Sequence, residues 1–374
     1  MENEIEFKNL NENMVLVDIR EKQNFDFGHI EGAVHMSVDE IKNFDFAGKQ
    51  IVLCCRNGKK SEKASEELKA LGLNTLVLKG GYLGWIAENK NLAFLKAEQS
   101  LQKKFQRELL TPFSKAINIY QLIQPGDKIA VCMSGGKDSF CMAKLFQELK
   151  RHNKIPFEVG FLVMDPGYSK ENRKLIEENA KKLNIPITIF ETDIFENVVH
   201  IEKSPCYVCC RMRRGHLYSK AKQLGYNKIA LGHHYDDVVE TILMGMLYGA
   251  QIQTMMPKLH SNNFEGMEVI RPMYLIREQD IIRWRDYNNL KFLQCACKFT
   301  EQNYAEGVNE NELASKRKQM KNLIKNLSTK QHQIAGNIFR AVENINLATI
   351  ISYKDLNGKT HHFLDDYDKI CGDD

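Results

Sequence analysis

Cys55 is the first residue of this sequence whose surroundings point to chemistry. It follows the apolar run IVLC (residues 51–54) and opens the segment CRNGKK (residues 55–60), which holds one glycine and three basic side chains. A thiol at a helix N-terminus and beside cations is shifted toward thiolate, because both features favour the charged form. The position predicts a nucleophile, although a structural cysteine in a basic loop is equally compatible with it. Cys54 would face the opposite side of a continuing strand and is expected to lie in the core.

A second candidate site is the run KIAVCMSGGKDSFCMAKLFQEL (residues 128–149), which is typical of a strand, a glycine-rich turn and an amphipathic helix. Gly135 and Gly136 let backbone amides approach a ligand closely, the helix N-terminus adds positive partial charge, and Lys137 adds a full charge. These features predict a pyrophosphate-binding loop. The run lacks both the Walker A pattern G-x-x-x-x-G-K-[ST] and G-x-G-x-x-G, which disfavours a dinucleotide oxidoreductase.

Two later runs, VMDPGY (residues 163–168) and GHHYDD (residues 232–237), follow predicted strands, where ligands lie in doubly wound sheets. Carboxylates such as Asp138, Asp236 and Asp237 could hold Mg²⁺ on the phosphates. Lys137 and Asp138 are the catalytic candidates. The predicted nucleotide-binding residues are Met133, Ser134, Gly135, Gly136, Lys137, Asp138, Ser139, Met164, Asp165, Gly232, His233 and Asp237.

Cysteines in the second half of the chain have the spacing of metal ligands. Cys206 and Cys209 form a C-x-x-C pair, which lets two thiolates reach one centre, and Cys295 and Cys297 supply further ligands later in the chain. Zinc, a [4Fe–4S] cluster and a redox dithiol are all compatible with this set. Cys210 is expected to be a bystander, because neighbouring residues rarely ligate the same centre.

Two series of strands and helices must position these residues. Short β-rich runs at residues 14–19, 51–55 and 75–78, with a helical pattern at 61–72, predict a small α/β domain that ends near Trp85. A charged helical stretch follows. Strands predicted at residues 128–133, 157–165, 185–193 and 227–234, separated by helices, indicate a doubly wound parallel sheet. We place the domains at residues 1–97, 98–308 and 309–374, the last a helical C-terminal extension.

Composition excludes several classes of protein. The 374 residues predict two or three domains, and 43% hydrophobic with 27% charged residues is ordinary for a soluble globular protein without a membrane span. The acidic, polar N-terminus does not resemble a signal peptide, which predicts a cytoplasmic protein whose cysteines serve metal binding, catalysis or packing. Because the net charge is only +4, a polyanionic partner must be held by local basic patches.

The main basic patch lies at residues 203–222, which contain six basic and no acidic residues. Arg211, Arg213 and Arg214 are its candidates for nucleic-acid binding, because basic side chains position phosphates without reading sequence. A solvated helix face is equally compatible with the sequence. Weaker candidates are the basic helix at residues 316–330 and the linker residues Lys103, Lys104 and Arg107.

The N-terminal region resembles a rhodanese domain. The family's motifs occur in order as VDIR (residues 17–20), GHIEGAVHM (residues 28–36), the CRNGKKS loop and LKGGYLGW (residues 78–85). The resemblance implies that Cys55 carries a persulfide, taken from a donor such as a cysteine desulfurase or thiosulfate. It also implies that the loop cradles the anionic sulfur. The loop residues are Arg56, Asn57, Gly58, Lys59 and Lys60.

The remainder resembles the PP-loop ATP pyrophosphatases, of adenine nucleotide alpha hydrolase-like fold, and within them the tRNA 2-thiocytidine synthetase family. The carrying motifs are SGGKDS, the run from Cys206 to Gly249 with GHHYDD, and VIRPMYLIREQDI (residues 269–281). The resemblance implies ATP cleavage between the α and β phosphates and adenylation of a carbonyl oxygen in tRNA. It further implies a [4Fe–4S] cluster on three cysteines, two from the first pair and one from the second region. Because this chain has C-x-C where the family often has C-x-x-C, the choice between Cys295 and Cys297 stays open, and the position after a helix favours Cys295.

Together these features predict an ATP-dependent, AMP- and pyrophosphate-forming tRNA sulfurtransferase that makes 2-thiocytidine. Sulfur would pass from the Cys55 persulfide by way of the cluster. The alternatives are a related enzyme that thiolates a uridine or another base, a non-catalytic sulfur or redox carrier, and zinc in place of the cluster. The sequence does not fix the oligomeric state, for which a homodimer is the candidate, and it predicts no membrane partner.

Overall fold

The computed structural model describes residues 3–27, 29–88, 93–152, 155–194, 205–293 and 316–369. Within these ranges it leaves the side chains of residues 23, 26, 27, 87, 205–210, 330, 366, 368 and 369 undescribed. The chain forms two compact units, residues 1–234 with 257–306 and residues 235–256 with 307–374. Both predicted α/β domains therefore belong to the first unit.

A five-stranded parallel sheet forms the N-terminal part of the first unit. Its strands, in the spatial order β1-β5-β4-β2-β3, are β1 (Glu4–Ile5), β2 (Met14–Asp18), β3 (Val34–His35), β4 (Gln50–Cys54) and β5 (Thr75–Leu78). The helices are α1 (Lys22–Phe27), α2 (Val38–Lys42), α3 (Lys59–Ala70) and α4 (Gly81–Glu88). The central strand β4 is Val- and Leu-rich because both of its faces are buried, one against Trp85 and the other against Leu68.

A second, six-stranded sheet follows, in the order β10-β11-β9-β6-β7-β8. The strands are β6 (Lys128–Met133), β7 (Glu158–Asp165), β8 (Ile187–Glu191), β9 (Lys228–Ala230), β10 (Lys258–His260) and β11 (Glu268–Ile270). All neighbours are parallel except β10 and β11. Because β7 and β9 flank β6 on opposite sides, the strand order reverses at β6, and ligands bind beyond the carboxyl end of such a strand.

Helices of the first unit cover this sheet. They are α5 (Ala93–Gln102), α6 (Thr111–Ile119), α7 (Lys137–His152), α8 (Lys170–Lys182), α9 (Pro205–Gln223) and α11 (Glu278–Tyr287), with a π-helical turn at Gln106–Leu110. The predicted linker helix α5 packs on both domains. Its Phe94 stacks on Trp85 with ring centroids 6.1 Å apart, and its Glu98 lies 2.6 Å from the buried Lys144 Nζ on α7. This helix joins the two sheets through buried contacts.

The second unit consists of α10 (Tyr235–Gly249), α12 (Lys316–Lys330), α13 (Ile334–Ala341) and an antiparallel hairpin of β12 (Ser352–Lys354) and β13 (Thr360–His362). The structure thus confirms the α/β fold class and the helical C-terminal extension. The hairpin was not predicted, because its strands are only three residues long and its turn depends on Gly358 at φ 79°. The predicted domain boundaries stay predictions.

Candidate active site

Cys55 lies where the sequence predicts, in the loop between β4 and α3. The residue is 1% exposed. Burial acts to raise the pKa of its thiol, but the Ser61 hydroxyl and the backbone amides of Ser61, Asn57 and Lys60 outweigh burial, so the pKa is lowered from the usual value. The loop therefore holds its own cysteine closer to the thiolate form.

The N-terminus of α4 anchors two carbonyl groups of this loop. The Tyr82 amide donates to the Cys55 carbonyl (2.8 Å) and the Leu83 amide donates to the Arg56 carbonyl (2.9 Å). In a trans peptide the C=O and N–H groups point in opposite directions. Because the Cys55 and Arg56 carbonyls point toward α4, the amides of Arg56 and Asn57 point away from α4. Gly81 permits the contact, because a Cβ there would lie 2.5 Å from the Cys55 carbonyl oxygen.

Asp18 and Arg20, within the VDIR run, support helix α4. Asp18 is fully buried and pairs with Arg20, whose Nη2 lies 2.6 Å from Asp18 Oδ2. The Arg20 guanidinium stacks over the Tyr82 ring, 3.9 Å from its centroid. In the sequence alone this run is only part of a family resemblance, and these contacts give it a positioning role for α4.

The residues next to Cys55 differ in their exposure to solvent. Arg56, Asn57, Lys59 and Lys60 are exposed, so a cationic rim surrounds the buried thiol. Cys54 is fully buried, and burial raises the pKa of its thiol well above the usual value. The prediction that Cys54 packs in the core is confirmed.

The SGGKDS segment forms the predicted strand, turn and helix. Gly135 has φ 87°, and a Cβ there would lie 2.8 Å from Leu293 Cδ1. The Ser139 hydroxyl accepts from the Ser134 amide (3.2 Å) and donates to the Gly136 carbonyl (2.9 Å), which closes the turn at the start of α7. The N-terminus of α7 therefore opens at the end of β6, at the reversal of strand order.

Lys137 is held between two carboxylates. Its Nζ lies 3.0 Å from Asp138 Oδ2 and 3.0 Å from Glu278 Oε1. Burial acts to lower the pKa of Lys137, but the two carboxylates outweigh it and the pKa is raised. The ammonium is thus charged and fixed at the loop. Glu278, the first residue of α11, was not predicted as a site residue, although it lies within the VIRPMYLIREQDI run.

Asp138 offers a free oxygen to a cation. Its Oδ1 is buried and accepts no hydrogen bond from any side chain or amide in the described ranges. A carboxylate oxygen of this kind fits Mg²⁺, which prefers oxygen ligands. The residues of the loop therefore fit a magnesium–polyphosphate ligand, with Asp138 as the candidate ligand.

The other predicted nucleotide-binding residues differ in their surroundings. Asp165 Oδ1 accepts from the Gly167 and Tyr168 amides (2.9 and 2.7 Å), so its carboxylate closes the MDPGY turn. Met133 and Met164 are buried. Gly232 lies against the start of α7, since a Cβ there would be 3.5 Å from the Ser139 amide nitrogen. His233 follows it and is half-buried.

Asp236 and Asp237 open α10 in the second unit. Asp237 Oδ1 lies 3.0 Å from Arg317 Nη1 on α12. Its carboxylate thus has a structural partner within its own unit. The prediction that Asp237 binds the nucleotide or Mg²⁺ stays a prediction.

The predicted metal ligands fall largely outside the described residues. Cys206 and Cys209 lie on the α9 backbone, but their side chains are not described, and Cys295 and Cys297 lie outside the described ranges. Among the described side chains there is no cluster of three or more His, Cys, Asp or Glu residues suited to a metal. The cysteine cluster stays a prediction.

The helix that carries these cysteines also contacts the SGGKDS loop. Arg213 Nη2 lies 3.5 Å from the Tyr168 hydroxyl, which in turn lies 3.5 Å from the Ser134 carbonyl oxygen. Cys206, Cys209 and Arg213 are spaced by three and four residues, which is one side of a helical backbone. One helix thus connects the C-x-x-C pair to the SGGKDS loop.

The predicted nucleic-acid-binding arginines have two environments. Arg211 and Arg214 are exposed on α9, whereas Arg213 is half-buried against Tyr168. Exposed guanidinium groups suit phosphate contacts. The RNA-binding role of all three stays a prediction. No helix in the described ranges is long and apolar enough to cross a membrane.

Comparison with known proteins identifies the larger domain. The profile of the PP-loop domain matches residues 101–304, more than half of the chain. The chain belongs to the PP-loop domain family. A rhodanese-like domain profile matches residues 5–88. The PP-loop chain therefore carries a rhodanese-like domain at its N-terminal side, as the motifs predict.

Curated relatives match about half of the chain. A "tRNA-cytidine(32) 2-sulfurtransferase" of Aliivibrio fischeri strain MJ11 is 39% identical over 206 residues, which are 54% of this chain and 66% of the relative. A protein of the same name from Neisseria meningitidis serogroup C strain 053442 is 37% identical over 207 residues, 54% of this chain and 64% of the relative. The PP-loop chain thus spans just under two thirds of the length of these relatives.

A solved structure with a similar chain is a U34-tRNA thiolase, NcsA, from Methanococcus maripaludis with its [4Fe–4S] cluster. It shares 19% identity with a TM-score of 0.49, over 63% of this chain and 79% of that chain.

Proposed function

We propose that this protein is an ATP-dependent tRNA sulfurtransferase that replaces the C2 oxygen of a cytidine with sulfur. The observation that carries the proposal is the contact of a C-x-x-C helix with the SGGKDS loop through Arg213 and Tyr168. The same compact unit also contains a cysteine loop that stabilises a thiolate. The names of the curated relatives, which match about half of the chain, support the choice of tRNA and of cytidine.

The nucleotide half of the reaction uses the SGGKDS loop. The amides at the start of α7 and the charged Lys137 bind the phosphates of ATP, and Asp138 holds Mg²⁺ on them. The cytidine O2 attacks the α-phosphorus and pyrophosphate leaves, so the base oxygen becomes part of an adenylate. Hydrosulfide then attacks C2 and expels AMP. Activation is required because oxygen is a poor leaving group without it.

The sulfur half uses Cys55. Its thiolate attacks the outer sulfur of a persulfide or thiosulfate donor, and the donor leaves as thiolate or sulfite, so no net oxidant is consumed. The amides of Asn57, Lys60 and Ser61 that lower the pKa of the thiol would equally stabilise the anionic terminal sulfur. Release of this sulfur as hydrosulfide requires two electrons from a thiol reductant.

A [4Fe–4S] cluster fits the chemistry of the α9 cysteines. Cys206 and Cys209 are three residues apart on one helix, as C-x-x-C ligands are. With one thiolate from Cys295 or Cys297 they would hold the cluster and leave one iron open. When bound, such a cluster would supply a Lewis-acidic iron that holds hydrosulfide. The alternative is a zinc ion bound by the same thiolates.

The proposal is tested with anaerobically prepared full-length protein, tRNA, ATP and free sulfide. We expect one 2-thiocytidine per AMP and pyrophosphate released, measured by mass spectrometry of the digested tRNA and by phosphate analysis. A thiouridine in place of 2-thiocytidine would assign the protein to the alternative substrate class. Absence of any ATP-dependent thiolated nucleoside would overturn the enzyme proposal and leave a sulfur carrier.

Metal analysis of the same preparation tests the cofactor. We expect iron and acid-labile sulfide in equal amounts, lost together in a Cys206→Ser, Cys209→Ser double variant. Zinc without sulfide would replace the cluster by a zinc thiolate site.

A further inference from the structure

Helix α12 of the second unit has an unusual charge distribution. From residue 316 to residue 342 the chain contains seven Lys and Arg residues and no Asp or Glu. Five of the seven lie on α12 with described side chains: Lys316, Arg317, Lys318, Lys321 and Lys325. The overall excess of basic residues in the protein is only four, so this segment carries a strong local concentration of positive charge.

Buried contacts fix which face of α12 points inward. Met320 is 4% exposed. Arg317 Nη1 lies 3.0 Å from Asp237 Oδ1, and Arg317 Nε lies 3.7 Å from Glu240 Oε2, both on α10. Arg317 and Met320 are one helical turn apart, so they mark the side of α12 that packs within the unit.

Three of these lysines form a stripe on another side. Lys318, Lys321 and Lys325 follow the spacing i, i+3, i+7, which is one helix face, and all three are exposed. We call these three residues the lysine stripe. It extends about 10 Å along the helix axis, and one nucleic-acid strand presents about three phosphates over that length.

We propose that the lysine stripe is a docking surface for the sugar–phosphate backbone of tRNA. The proposal rests on the proposed function, because it names a surface that binds the substrate of that reaction. Lysines act on phosphates as point charges, so the stripe contributes affinity and orientation without base recognition. It adds a second basic surface, in another unit, to that of Arg211 and Arg214 on α9.

The packing of α12 favours RNA over a membrane. A basic amphipathic helix binds an anionic bilayer by inserting its apolar face. On the side of α12 away from the stripe, Met320 is buried while Leu323 and Leu327 are 37% and 41% exposed. The residues that flank the stripe, Asn322 and Thr329, are polar and exposed, so they separate the stripe from these leucines. The stripe is thus a polar, cationic surface, which suits a hydrated phosphate backbone.

The test compares the full-length protein with a Lys318→Gln, Lys321→Gln, Lys325→Gln triple variant. Glutamine has nearly the helix propensity of lysine, so α12 is expected to form. The control is a Lys63→Gln, Lys354→Gln, Lys359→Gln variant, which removes the same charge at exposed sites elsewhere. The dissociation constant for unmodified tRNA is measured by fluorescence anisotropy at several salt concentrations, and 2-thiocytidine formation is measured in parallel.

The stripe variant should bind tRNA about 10- to 100-fold more weakly near 0.15 M salt, with the slope of log K against log[salt] reduced by about 2. The control should change little. The proposal is overturned if the stripe variant keeps the wild-type affinity and slope, if the wild type binds no tRNA, or if the variant loses binding to phosphatidylserine vesicles or to an acidic protein but not to tRNA.

The parallel activity assay separates this proposal from the proposed function. If the wild type makes 2-thiocytidine and the stripe variant binds tRNA normally, the surface assignment fails and the enzyme assignment stands. If the stripe variant loses tRNA affinity while the wild type makes no thiolated nucleoside, the surface assignment stands and the enzyme assignment fails.

Discussion

The Cys55 loop and the SGGKDS loop both connect a parallel strand to a helix and both suit an anion, but they differ in where the anion comes from. The Cys55 loop directs amides at a side chain of its own and is anchored from outside by α4. The SGGKDS loop contains no cysteine, is closed internally by Ser139, and fixes a cation, Lys137, between two carboxylates.

This difference indicates two kinds of binding. A loop that stabilises its own covalently attached anion needs amides and burial, and its cations can stay at the rim. A loop that receives a diffusing, highly charged ligand needs an open helix N-terminus, a fixed ammonium and a free oxygen for a metal ion. The comparison predicts that variants in one loop affect sulfur loading and those in the other affect ATP use.

The largest effect is expected from Cys55→Ser. Sulfur transfer from thiosulfate should fall on the order of 10³-fold or more, because the nucleophile is removed. Thiolation with free sulfide should be unchanged, since the nucleotide loop is intact. The measurement is the amount of 2-thiocytidine formed with each sulfur source, determined by mass spectrometry. Cys54→Ser is not a suitable control, because Cys54 is buried in the core and its replacement would disturb packing. Equal loss with both sources would contradict the division between the loops.

Lys137→Ala should produce the opposite pattern. Loss of the fixed ammonium is expected to reduce ATP-dependent thiolation with sulfide about 10²- to 10³-fold, as for removal of a group that stabilises developing charge. Formation of the Cys55 persulfide from thiosulfate, measured by alkylation and mass spectrometry, should not change. The exposed Lys128→Ala on β6 is the matched control. Unchanged ATP use in Lys137→Ala would refute the role of the loop.

Two glycine substitutions sharpen the comparison between the loops. Gly81→Ala would place a Cβ against the Cys55 carbonyl, and Gly135→Ala would place one against Leu293, both at positive φ. Their controls, Gly72→Ala and Gly126→Ala, share the positive φ but have open space around the Cβ. Each control should lose about 1 to 2 kcal/mol of folding free energy.

Beyond that shared loss, Gly81→Ala should slow persulfide formation and Gly135→Ala should raise the KM for ATP, each by roughly 10-fold. Thermal unfolding and the two half-reaction assays give both quantities. Identical behaviour of each variant and its control would show that the close contacts do not shape the loops.

Glu278→Gln should have a smaller effect, because Asp138 still pairs with Lys137. Glu278 acts to raise the pKa of Lys137, so its neutralisation lowers that pKa and frees the ammonium to move. We expect about a 10-fold loss in kcat/KM for ATP. As pH rises, activity should be lost at a lower pH than in the wild type, because Lys137 loses its proton at the reduced pKa. An unchanged pH profile would assign Glu278 a purely structural role.

The smallest expected effect concerns the pKa of Cys55. Because the Ser61 hydroxyl acts to lower this pKa, Ser61→Ala should raise it, and alkylation of Cys55 at neutral pH should slow by a few-fold. The rate of iodoacetamide labelling against pH, followed by mass spectrometry of the Cys55 peptide, gives the pKa directly. An unchanged or lower pKa in Ser61→Ala would contradict this effect of the hydroxyl.

Sequence reasoning succeeded where the signal is local. The Cys55 and SGGKDS loops were predicted because a strand, a turn and a helix follow one another within about twenty residues, and their glycine and basic residues act on neighbours in the chain. The buried position of Cys54 follows from strand alternation in the same way.

Contacts between distant segments could not be predicted. Glu278 meets Lys137 across 141 positions of sequence, and Arg213 approaches Tyr168 across 45, so neither has a signal in spacing or composition. Asp165 ends a strand, where ligand-binding residues are expected. Its carboxylate nevertheless accepts hydrogen bonds from the backbone amides of its own turn, which only the structure shows.

The central claim is that the two loops serve one reaction, and a single-turnover transfer of labelled sulfur tests it most directly. Protein carrying ³⁵S persulfide on Cys55 is freed of donor and mixed with tRNA and a dithiol reductant, with or without ATP. The label should move from protein to 2-thiocytidine only when ATP is present. Label that stays on the protein, or that reaches tRNA equally without ATP, would contradict the account.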